Sequence, residues 1–306
     1  MTKYPMKLIP FLRPMIWGGK AIKKKYNKET ESDCIGESWE LTCRSEGQSV
    51  VANGEYAGQR LCDVLGCGYD FPLLIKFIDA CDKLSVQVHP DDDVTDENGT
   101  PLGKTEMWYI IDCDEGSHII YGLWDGLSLS DYEKNVRNGE FSVGMKKVYV
   151  KPGDCYFIPA GQVHAIGKGI LLAEIQQNSD TTYRLYDYGR LDKEGNPREL
   201  HVDKALSVIR AYTDSDIEAI RYSEGKQGNC LANCSKFKCD KHVLCDSSVT
   251  VTTDEAFKSL VFIEGEGYIS YNGEKYAAVG GDTYYIPEGL TIEVTGNLTF
   301  LTACAK

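Results

Sequence analysis

The stretch from Gly153 to His164, with the sequence GDCYFIPAGQVH, most constrains what this chain can fold into. A Gly-Asp pair opens it, a short β-rich run leads to a Pro-x-Gly turn, and a histidine follows after two more residues. Glycine and proline mark turns, and the residues between them favour strands. The pattern predicts a β-hairpin whose second strand begins at His164.

A second copy of this frame lies 128 residues further along the chain, where the segment GDTYYIPEG runs from Gly281 to Gly289. The same offset places Ile292 at the position of His164. One fold unit therefore occurs twice, and only the first copy keeps its histidine. At 306 residues the chain also has the length of about two domains.

These observations predict two domains. We expect an N-terminal domain over residues 1–223, with a helical connector near residues 202–212, and a C-terminal domain over residues 224–306. The helical spacing of the connector and the short strands with glycine turns after residue 224 support this division. We expect a metal site in the first domain and none in the second, because Ile292 replaces the histidine there.

The composition excludes several classes of protein. A net charge of −13 argues against nucleic acid as a partner, so any phosphate must be recognised by a small local cluster of Lys and Arg. No apolar run approaches the roughly 20 residues of a membrane span, so we expect no membrane partner. The N terminus lacks the apolar core of a signal peptide, and we therefore expect a cytoplasmic protein.

The twelve cysteines are scattered along the chain, which favours reduced thiols over a disulfide scaffold. One cluster contains Cys230, Cys234, Cys239 and Cys245, separated by four, five and six positions. It lacks the paired Cys-x-x-Cys units of most structural zinc sites. We interpret the cluster as packing within strands, and a metal site there is the less favoured alternative.

Lysines occur in two contrasting settings. The segment from Lys20 to Lys28 carries five of them, which is typical of a solvated helical face. Lys76 instead lies inside the apolar segment from Pro72 to Asp79, where a buried amine needs a partner. Two interpretations of Lys76 stay open: its amine reaches the rim of the strand, or it binds an anion.

Two further segments place polar side chains on one face of a strand. Side chains alternate along a strand, so Ser85, Gln87 and His89 share a face in the first segment. Lys104 and Glu106 share a face in the second. These faces either point to water, as in many antiparallel sheets, or line the inside of a barrel.

Four side chains form a candidate metal site. If their segments belong to a small β-barrel, Gln87, His89, Glu106 and His164 converge inside it. Zinc accepts imidazole and carboxylate ligands, and a catalytic zinc keeps an open position for water or substrate. Glu106 would be the only anionic ligand, so the metal would keep the positive charge that polarises a carbonyl or a hydroxyl group.

The stretch 153–164 resembles the second sequence motif of the cupin barrel, in which a glycine is followed by five residues, Pro-x-Gly, two residues and His. This resemblance implies a mainly β chain that folds into two cupin-type barrels, also called double-stranded β-helices or jelly rolls, with a few short helices. It does not imply one function, because cupins include isomerases, dioxygenases, storage proteins and sugar-sensing regulators.

Six further motifs narrow the choice. Together they resemble the short bacterial form of type I mannose-6-phosphate isomerase, over residues 5–300. The motifs are IWGG at 16–19, GESWEL at 36–41, PLLIK at 72–76, SVQVHP at 85–90, KTEMW at 104–108 and QQNSDTTYR at 176–184. The resemblance implies a metal-dependent aldose–ketose isomerase that interconverts mannose 6-phosphate and fructose 6-phosphate through a cis-enediol.

The resemblance also implies roles for ten residues. One zinc ion per chain would be held by Gln87, His89, Glu106 and His164. Catalysis would involve Arg184, Glu174 and Lys104. The phosphate group of the substrate would face Ser85, Lys76 and Arg190.

Two other functions remain as alternatives. A non-catalytic cupin that senses sugar phosphates would keep the same pocket. A cupin dioxygenase would bind iron, usually through a His-x-His pair where this chain has Gln87 and His89. The leading interpretation has a small sugar phosphate as its partner, and the chain would act as a monomer or a homodimer.

Overall fold

The structure is a computed structural model that describes residues 2–68, 70–191 and 195–306. Antiparallel strands predominate and the helices are short. This confirms the prediction of a mainly β chain with a few short helices. Within the described ranges, no helix has both the length and the apolar composition that a membrane crossing requires.

In chain order the strands are β1 (Met6–Ile9), β2 (Phe11–Arg13), β3 (Glu37–Leu41), β4 (Cys43–Arg44), β5 (Gly47–Gln48), β6 (Val50–Val51), β7 (Leu73–Ala80), β8 (Val86–Val88), β9 (Glu106–Cys113), β10 (His118–Leu123), β11 (Met145–Tyr149), β12 (Cys155–Ile158), β13 (His164–Ile166), β14 (Ile170–Gln177), β15 (Tyr183–Tyr186), β16 (Cys230–Asn233), β17 (Phe237–Thr252), β18 (Lys258–Tyr271), β19 (Glu274–Val279), β20 (Thr283–Ile286) and β21 (Thr291–Ala305). The helices are α1 (Ala21–Tyr26), α2 (Leu61–Leu65), α3 (Leu129–Arg137), α4 (Val202–Val208) and α5 (Asp214–Arg221), and a turn of 3-10 helix spans Gly54–Tyr56.

Two sheets build the part of the fold that carries the predicted site. One has the strand order β12-β9-β14-β7-β3-β2, and the other has the order β11-β10-β13-β8-β15. Apolar side chains of both sheets share one buried cluster, with Ile78 and Leu172 from the first sheet and Ile119 and Ile166 from the second. The two sheets therefore pack face to face, as the inner faces of a sandwich or barrel do.

The strand registers place the predicted site residues on these inner faces. Lys76 on β7 lies opposite Glu174 on β14. Gln87 on β8 lies opposite His164 on β13 and opposite Arg184 on β15. Residues directly opposite each other in an antiparallel pair project from the same face. The polar rows therefore line the inside of the fold, which decides between the two interpretations that the sequence left open.

The C-terminal part is an eight-stranded sheet with the order β16-β17-β21-β18-β20-β1-β6, in which β19 also pairs with β18. The long strands β17, β18 and β21 contribute most of an apolar cluster that includes Phe262, Ile292 and Phe300. Strands β1 and β6, from the start of the chain, complete this sheet. The division at residues 223 and 224 stays a prediction, and the first strand of the chain pairs across it.

The internal repeat is visible in the backbone. The strand Cys155–Ile158 and the strand Thr283–Ile286 occupy the same positions after the 128-residue offset. Gly153 and Gly281, at matching turn positions, have φ angles of 90° and 94°, a conformation that glycine adopts without steric cost. Ile292 is buried in the apolar cluster of the second copy, so apolar packing occupies the position that a histidine holds in the first copy.

The predicted helical connector contains α4, which packs against β15 and β8. A second helix, α5, follows it and packs against β12. This helix was not predicted, although a capping box between Thr213 and Asp216 marks its start and is a local signal for a helix N terminus.

Lys28 is buried, although the sequence predicted that the lysines from Lys20 to Lys28 lie on a solvated helical face. Lys24 is exposed as predicted, whereas the Lys28 side chain is 8% exposed and forms an ion pair with the buried carboxylate of Glu40. Ser38 Oγ also donates to this carboxylate (2.5 Å), as does Thr283 Oγ1 (3.2 Å). The ion pair therefore lies where β3 meets the C-terminal sheet.

Replacing Lys28 by Met is expected to lower the free energy of unfolding by about 3–5 kcal/mol, because Glu40 would be left buried without its charged partner. Equilibrium unfolding in urea measures this change. Lys7→Met is a matched control, since the Lys7–Asp282 pair lies at the adjoining C-terminal sheet with a more exposed lysine, and its loss should cost less than about 1 kcal/mol. Equal losses for the two variants would contradict the structural role of Lys28.

Candidate metal centre and active site

Three buried side chains meet between the two N-terminal sheets. His89 directly follows β8, Glu106 opens β9 and His164 opens β13. One ligand atom from each lies within 4.8 Å of the others, and the Nε2 atoms of the two histidines are 3.1 Å apart. Among residues 2–68, 70–191 and 195–306, this is the only group of His, Cys, Asp and Glu side chains that is spaced to hold a metal ion.

A backbone carbonyl orients each imidazole ring. Nδ1 of His89 donates to the carbonyl oxygen of Thr181 (2.7 Å), and Nδ1 of His164 donates to that of Gln162 (2.9 Å). These tautomers leave a lone pair on each Nε2, which is the usual arrangement of a histidine that binds a metal. Burial lowers the pKa of His89 and lowers the pKa of His164 to about 4. Both rings are therefore neutral at neutral pH.

Glu106 contributes the carboxylate of the group. Its Oε2 accepts from Nζ of Lys104 (2.6 Å). Its Oε1 is buried without a hydrogen-bond partner and lies 3.5 Å from Nε2 of His164. Burial, followed by the charge of Glu174, raises the pKa of Glu106 to about 7. An unsatisfied carboxylate oxygen beside two imidazole lone pairs is a donor set that fits a divalent cation.

Gln87 lies at the edge of this group. Its Nε2 is 3.3 Å from Nε2 of His164 and 3.5 Å from Nε2 of His89, and its Oε1 accepts from Oγ of Ser85 (3.2 Å). A half-turn of the amide would present the oxygen, which is the atom able to bind a metal. The structure brings the four predicted ligands together, and their roles as metal ligands stay predictions.

A cavity of about 120 Å³ opens beside the group. Its apolar wall consists of Met15, Trp17, Ile78, Leu84, Trp108 and Ile166. Its polar wall consists of Glu37, Lys76, Ser85, Gln87, Lys104, Glu174, Thr182, Arg184 and Arg198. Six of the ten predicted site residues therefore line one cavity next to the three candidate metal ligands.

Glu174 is held on the cavity wall by one hydrogen bond and one ion pair. Its Oε2 accepts from the indole N–H of Trp108 (2.9 Å), and its Oε1 lies 3.2 Å from Nζ of Lys76. Burial raises the pKa of Glu174, but the charges of Lys76 and Lys104 and the indole N–H outweigh it, so the pKa lies below its ordinary value. Glu174 is therefore a carboxylate at neutral pH. Lys76 is buried and its amine pairs with this carboxylate, and its role in binding an anionic ligand stays a prediction.

Lys104 lies between the candidate metal ligands and Glu174. Its Nζ is 3.0 Å from Nε2 of His89, in addition to its bond with Glu106. Burial lowers the pKa of Lys104, but the negative charges of Glu106 and Glu174 raise it above its ordinary value. The cavity wall thus carries an ammonium group and a carboxylate side by side, which suits acid–base chemistry.

Arg184 lies next to Gln87 on the neighbouring strand. Its Nε donates to Oγ of Ser85 (3.3 Å), and its Nη1 donates to the carbonyl oxygen of Glu199 (2.9 Å). Burial, followed by the charge of Arg198, lowers the pKa of Arg184, but an arginine remains protonated at neutral pH. A polar row therefore runs from the histidines through Gln87 and Ser85 to this guanidinium group.

Arg190 is placed differently from the other predicted residues. Its Nη1 donates to the carbonyl oxygen of Lys83 (2.5 Å), and its Nη2 pairs with the carboxylate of Asp187. It is not among the residues that line the cavity. The phosphate contact predicted for Arg190 stays a prediction.

Four residues near the site were missed by the sequence analysis: Trp108, Asp187, Arg198 and His201. Nδ1 of His201 accepts from the backbone N–H of Arg184 (3.2 Å). A signal existed for Trp108, because it shares a strand face with Glu106. Asp187, Arg198 and His201 lie in or beside irregular segments where no periodic pattern marks them.

The cysteine cluster lies away from this group. Cys230 belongs to β16 and Cys239 to β17, and both are buried, as is Cys234, whereas Cys245 is exposed. Cys234 and Cys239 belong to the main apolar cluster of the chain. The three buried thiols agree with the interpretation as packing, whereas Cys245 on β17 takes no part in the apolar core.

Comparison with known proteins gives one consistent result. A profile of the family described as "Phosphomannose isomerase type I, catalytic domain" matches residues 6–116. Mannose-6-phosphate isomerase ManA of Bacillus subtilis (strain 168) is 40% identical over 303 residues, which cover 95% of this chain and 95% of that protein. A mannose-6-phosphate isomerase of Streptococcus mutans is 40% identical over 214 residues, which cover 67% of each chain.

Solved structures have the same fold. The mannose 6-phosphate isomerase from Bacillus subtilis superposes with a TM-score of 0.87 at 33% identity, covering 98% of this chain and 99% of that one. A mutant phosphomannose isomerase from Salmonella typhimurium gives a TM-score of 0.76 at 14% identity, with 99% of each chain covered, which shows the fold alone. The predicted cupin-type fold class is thereby confirmed. The identity and the coverage together show that this chain belongs to the type I phosphomannose isomerase family.

Proposed function

We propose that this chain is a metal-dependent aldose–ketose isomerase that interconverts mannose 6-phosphate and fructose 6-phosphate. One observation carries the proposal: the group of two histidines and a glutamate adjoins a cavity whose wall holds a carboxylate, an ammonium and a guanidinium. Such a reaction needs a base for a carbon-bound proton and cations for the developing oxygen charge. The relatives at 40% identity are mannose-6-phosphate isomerases, which supports this choice of substrate.

The proposed cofactor is one zinc ion per chain, held by His89, Glu106 and His164 with Gln87 as a fourth ligand. Two imidazole nitrogens and a carboxylate suit zinc, and three protein ligands are usual in a catalytic zinc site. A bound zinc ion would act as a Lewis acid that polarises an oxygen of the sugar. Iron and manganese accept some of the same donors, so the metal is part of the test.

Glu174 is the proposed base. It is buried, it is fixed by Trp108 and Lys76, and its lowered pKa keeps it ionised and able to accept a proton at neutral pH. Removal of the proton from C2 of open-chain mannose 6-phosphate, while the Lys104 ammonium gives a proton to O1, forms the cis-enediol. Return of the first proton to C1, while Lys104 takes the proton of O2, gives fructose 6-phosphate. Since Glu174 has little contact with water, the proton it holds is retained for the second step.

Lys104 and Arg184 are the proposed partners of the sugar oxygens. Both line the cavity and both carry a positive charge, so they stabilise negative charge that develops on the oxygens of C1 and C2. Ser85, Lys76 and Arg190 are the residues proposed to face the phosphate. Ser85 fits this role best, because its hydroxyl group bridges Gln87 and Arg184 on the cavity wall.

The wider setting of the protein is also proposed. The twelve free thiols support a reducing, cytoplasmic location, and the charge of −13 supports a small-molecule substrate over nucleic acid. We propose that the chain acts as a monomer or a homodimer, with domains at residues 1–223 and 224–306.

The proposed function is tested by a coupled assay for fructose 6-phosphate formed from mannose 6-phosphate. Turnover is expected in the purified protein, loss of turnover after chelation, and recovery when a metal is returned, because the metal polarises the reacting oxygen. Zinc, iron and manganese are added back singly, and zinc is expected to restore the most activity. Absence of turnover with every metal would overturn the proposal, and binding of the sugar phosphate without turnover would favour a sensor.

A further inference from the structure

The cavity contains a second guanidinium group that the proposed function does not use. Arg198 lines the cavity together with Arg184. The two residues are linked locally, because Nη1 of Arg184 donates to the carbonyl oxygen of Glu199, the residue that follows Arg198 (2.9 Å). Like charges close together are unfavourable unless an anion lies nearby. This end of the cavity therefore favours a negatively charged part of a ligand.

Arg198 is fixed by the carboxylate of Asp187. This carboxylate belongs to a residue that is 4% exposed, and it accepts from Nε (2.7 Å) and from Nη2 (2.6 Å) of Arg198. A two-point contact of this kind fixes the plane of a guanidinium group. It occupies one edge of the group, and within the described part of the chain Nη1 of Arg198 has no hydrogen-bond partner. That nitrogen is available to a ligand.

Arg190 holds the same carboxylate from outside the cavity. Its Nη2 pairs with Asp187 and its Nη1 donates to the carbonyl oxygen of Lys83. Two of its nitrogens are therefore engaged by protein groups, and it does not line the cavity. Arg190 also lies 3.8 Å from the carboxylate of Asp82, so its charge is balanced by protein groups, and Arg198 is the guanidinium group of this cluster that faces the cavity.

One cavity connects this cluster with the candidate metal ligands, because Arg198, Ser85 and the candidate ligand Gln87 all line it. Ser85, Gln87 and His89 follow one another along one strand face. Their side chains form a continuous row, because Oγ of Ser85 is 3.2 Å from Oε1 of Gln87 and Nε2 of Gln87 is 3.5 Å from Nε2 of His89. Arg184 lies between the two ends of this row, because it is opposite Gln87 and its Nε contacts Ser85. A six-carbon sugar with C1 and C2 near the metal ligands and Arg184 would direct its C6 phosphate toward Arg198.

We infer that Arg198, fixed by Asp187, binds the phosphate of the substrate and favours phosphorylated over free sugars. Asp187 is a positioning residue, because it acts through Arg198. The inference rests on the proposed function, which supplies the sugar phosphate. It differs from the expectation that Arg190 makes the phosphate contact, and variants of the two arginines separate the two ideas.

The experiment compares Arg198→Gln with Arg190→Gln. Arg137→Gln is the matched control, because it removes the same charge from an exposed ion pair on α3. We expect Arg198→Gln to raise the KM for mannose 6-phosphate and the inhibition constant of inorganic phosphate by about 10- to 100-fold, the usual value of a hydrogen bond to a charged group. The kcat should change by less than about threefold, because the lost contact is equally strong in the bound substrate and in the transition state.

Arg190→Gln should raise the same two constants by less than about fivefold, since it reaches the phosphate only through Asp187. A larger effect for Arg190→Gln than for Arg198→Gln would overturn the inference. The inference would also be overturned if Arg198→Gln left the KM for mannose 6-phosphate and the inhibition constant of inorganic phosphate within about twofold of the parent values. A change of that size is expected for the loss of a surface charge.

The positioning role of Asp187 is tested with Asp187→Asn. This variant should raise the KM with little change in kcat, and the double variant with Arg198→Gln should be no worse than Arg198→Gln alone, because residues that act as one unit are not additive. A merely structural role would give losses that add, with a lower Tm and a lower kcat. Thermal melts of each variant decide between these outcomes.

Failure of this inference is distinguishable from failure of the proposed function. If the parent protein turns over mannose 6-phosphate and Arg198→Gln has a normal KM, only the inference fails. If the parent protein shows no turnover with any metal, the proposed function fails, and calorimetric titration with fructose 6-phosphate and with inorganic phosphate still tests Arg198. An unchanged affinity of Arg198→Gln in those titrations, or no binding by the parent protein, would also overturn the inference.

Discussion

A variant with His164→Ala is expected to bind no metal and to lose isomerase activity. His164 supplies one of three buried ligand atoms, with its Nε2 at 3.1 Å from that of His89 and 3.5 Å from Oε1 of Glu106. Its removal leaves two such ligands, fewer than a catalytic zinc site uses, so metal content should fall from about one ion per chain to near zero. The kcat/KM should fall by at least about 1,000-fold, because the sugar oxygen would no longer be polarised.

Elemental analysis measures the metal content of the purified variant, and the coupled assay measures kcat/KM. His118→Ala is the matched control, because His118 lies at the start of β10 against the ring of Tyr149 and outside the ligand group. His164→Gln keeps more of the side-chain volume and is included in case His164→Ala does not fold. Thermal unfolding shows whether each of the three variants is folded. One bound ion per chain in His164→Ala, with activity within about tenfold of the parent, would show that the metal site lies elsewhere.

The strands around His164 were predictable because their signals are local. Glycines at fixed positions mark the turns, and the residues between them favour strands. The chain repeats this arrangement 128 residues later, and both copies form strands at matching positions. The replacement of His164 by Ile292 then indicated which copy holds ligands, and the apolar surroundings of Ile292 agree with that interpretation.

The pairing of distant segments was not predictable from such patterns. Strand β1 joins the C-terminal sheet by pairing with β20, a contact that spans most of the chain. Lys28 illustrates the same limit, because its neighbours in sequence predict a solvated helix. Its actual environment is set by Glu40, whose carboxylate also contacts Thr283. The charge pattern along the chain contains no information about that distant partner.

Some residues of the candidate site were predictable from the sequence and others were not. Alternation along the strands identified two shared faces, that of Ser85, Gln87 and His89 and that of Lys104 and Glu106. The two faces meet because the two sheets pack face to face. Arg198 was missed because it lies in an irregular segment, and its importance depends on an ion pair with a residue eleven positions earlier. The resemblance to the family implied roles for ten site residues, but it implied none for Arg198 or Asp187.

Arg184→Ala is expected to lower kcat by about 100- to 1,000-fold, the usual cost of removing one donor that stabilises charge in the transition state. Arg184 lies opposite Gln87 on the neighbouring strand, lines the cavity and contacts Ser85. Its positive charge is therefore close to the proposed substrate. Steady-state kinetics in the coupled assay measure the loss, and Arg137→Ala on the exposed face of α3 is the control.

Two further measurements separate catalysis by Arg184 from a structural effect. Its side chain also donates to the carbonyl oxygen of Glu199, so truncation can loosen the segment that carries Arg198. Such loosening would raise the KM and lower the Tm, whereas a lost transition-state contact lowers kcat with little change in either. Arg184→Lys keeps the charge but not the planar fork of donors, so partial recovery of kcat would assign the effect to charge. A kcat within a few-fold of the parent value in Arg184→Ala would show that the assigned role is wrong.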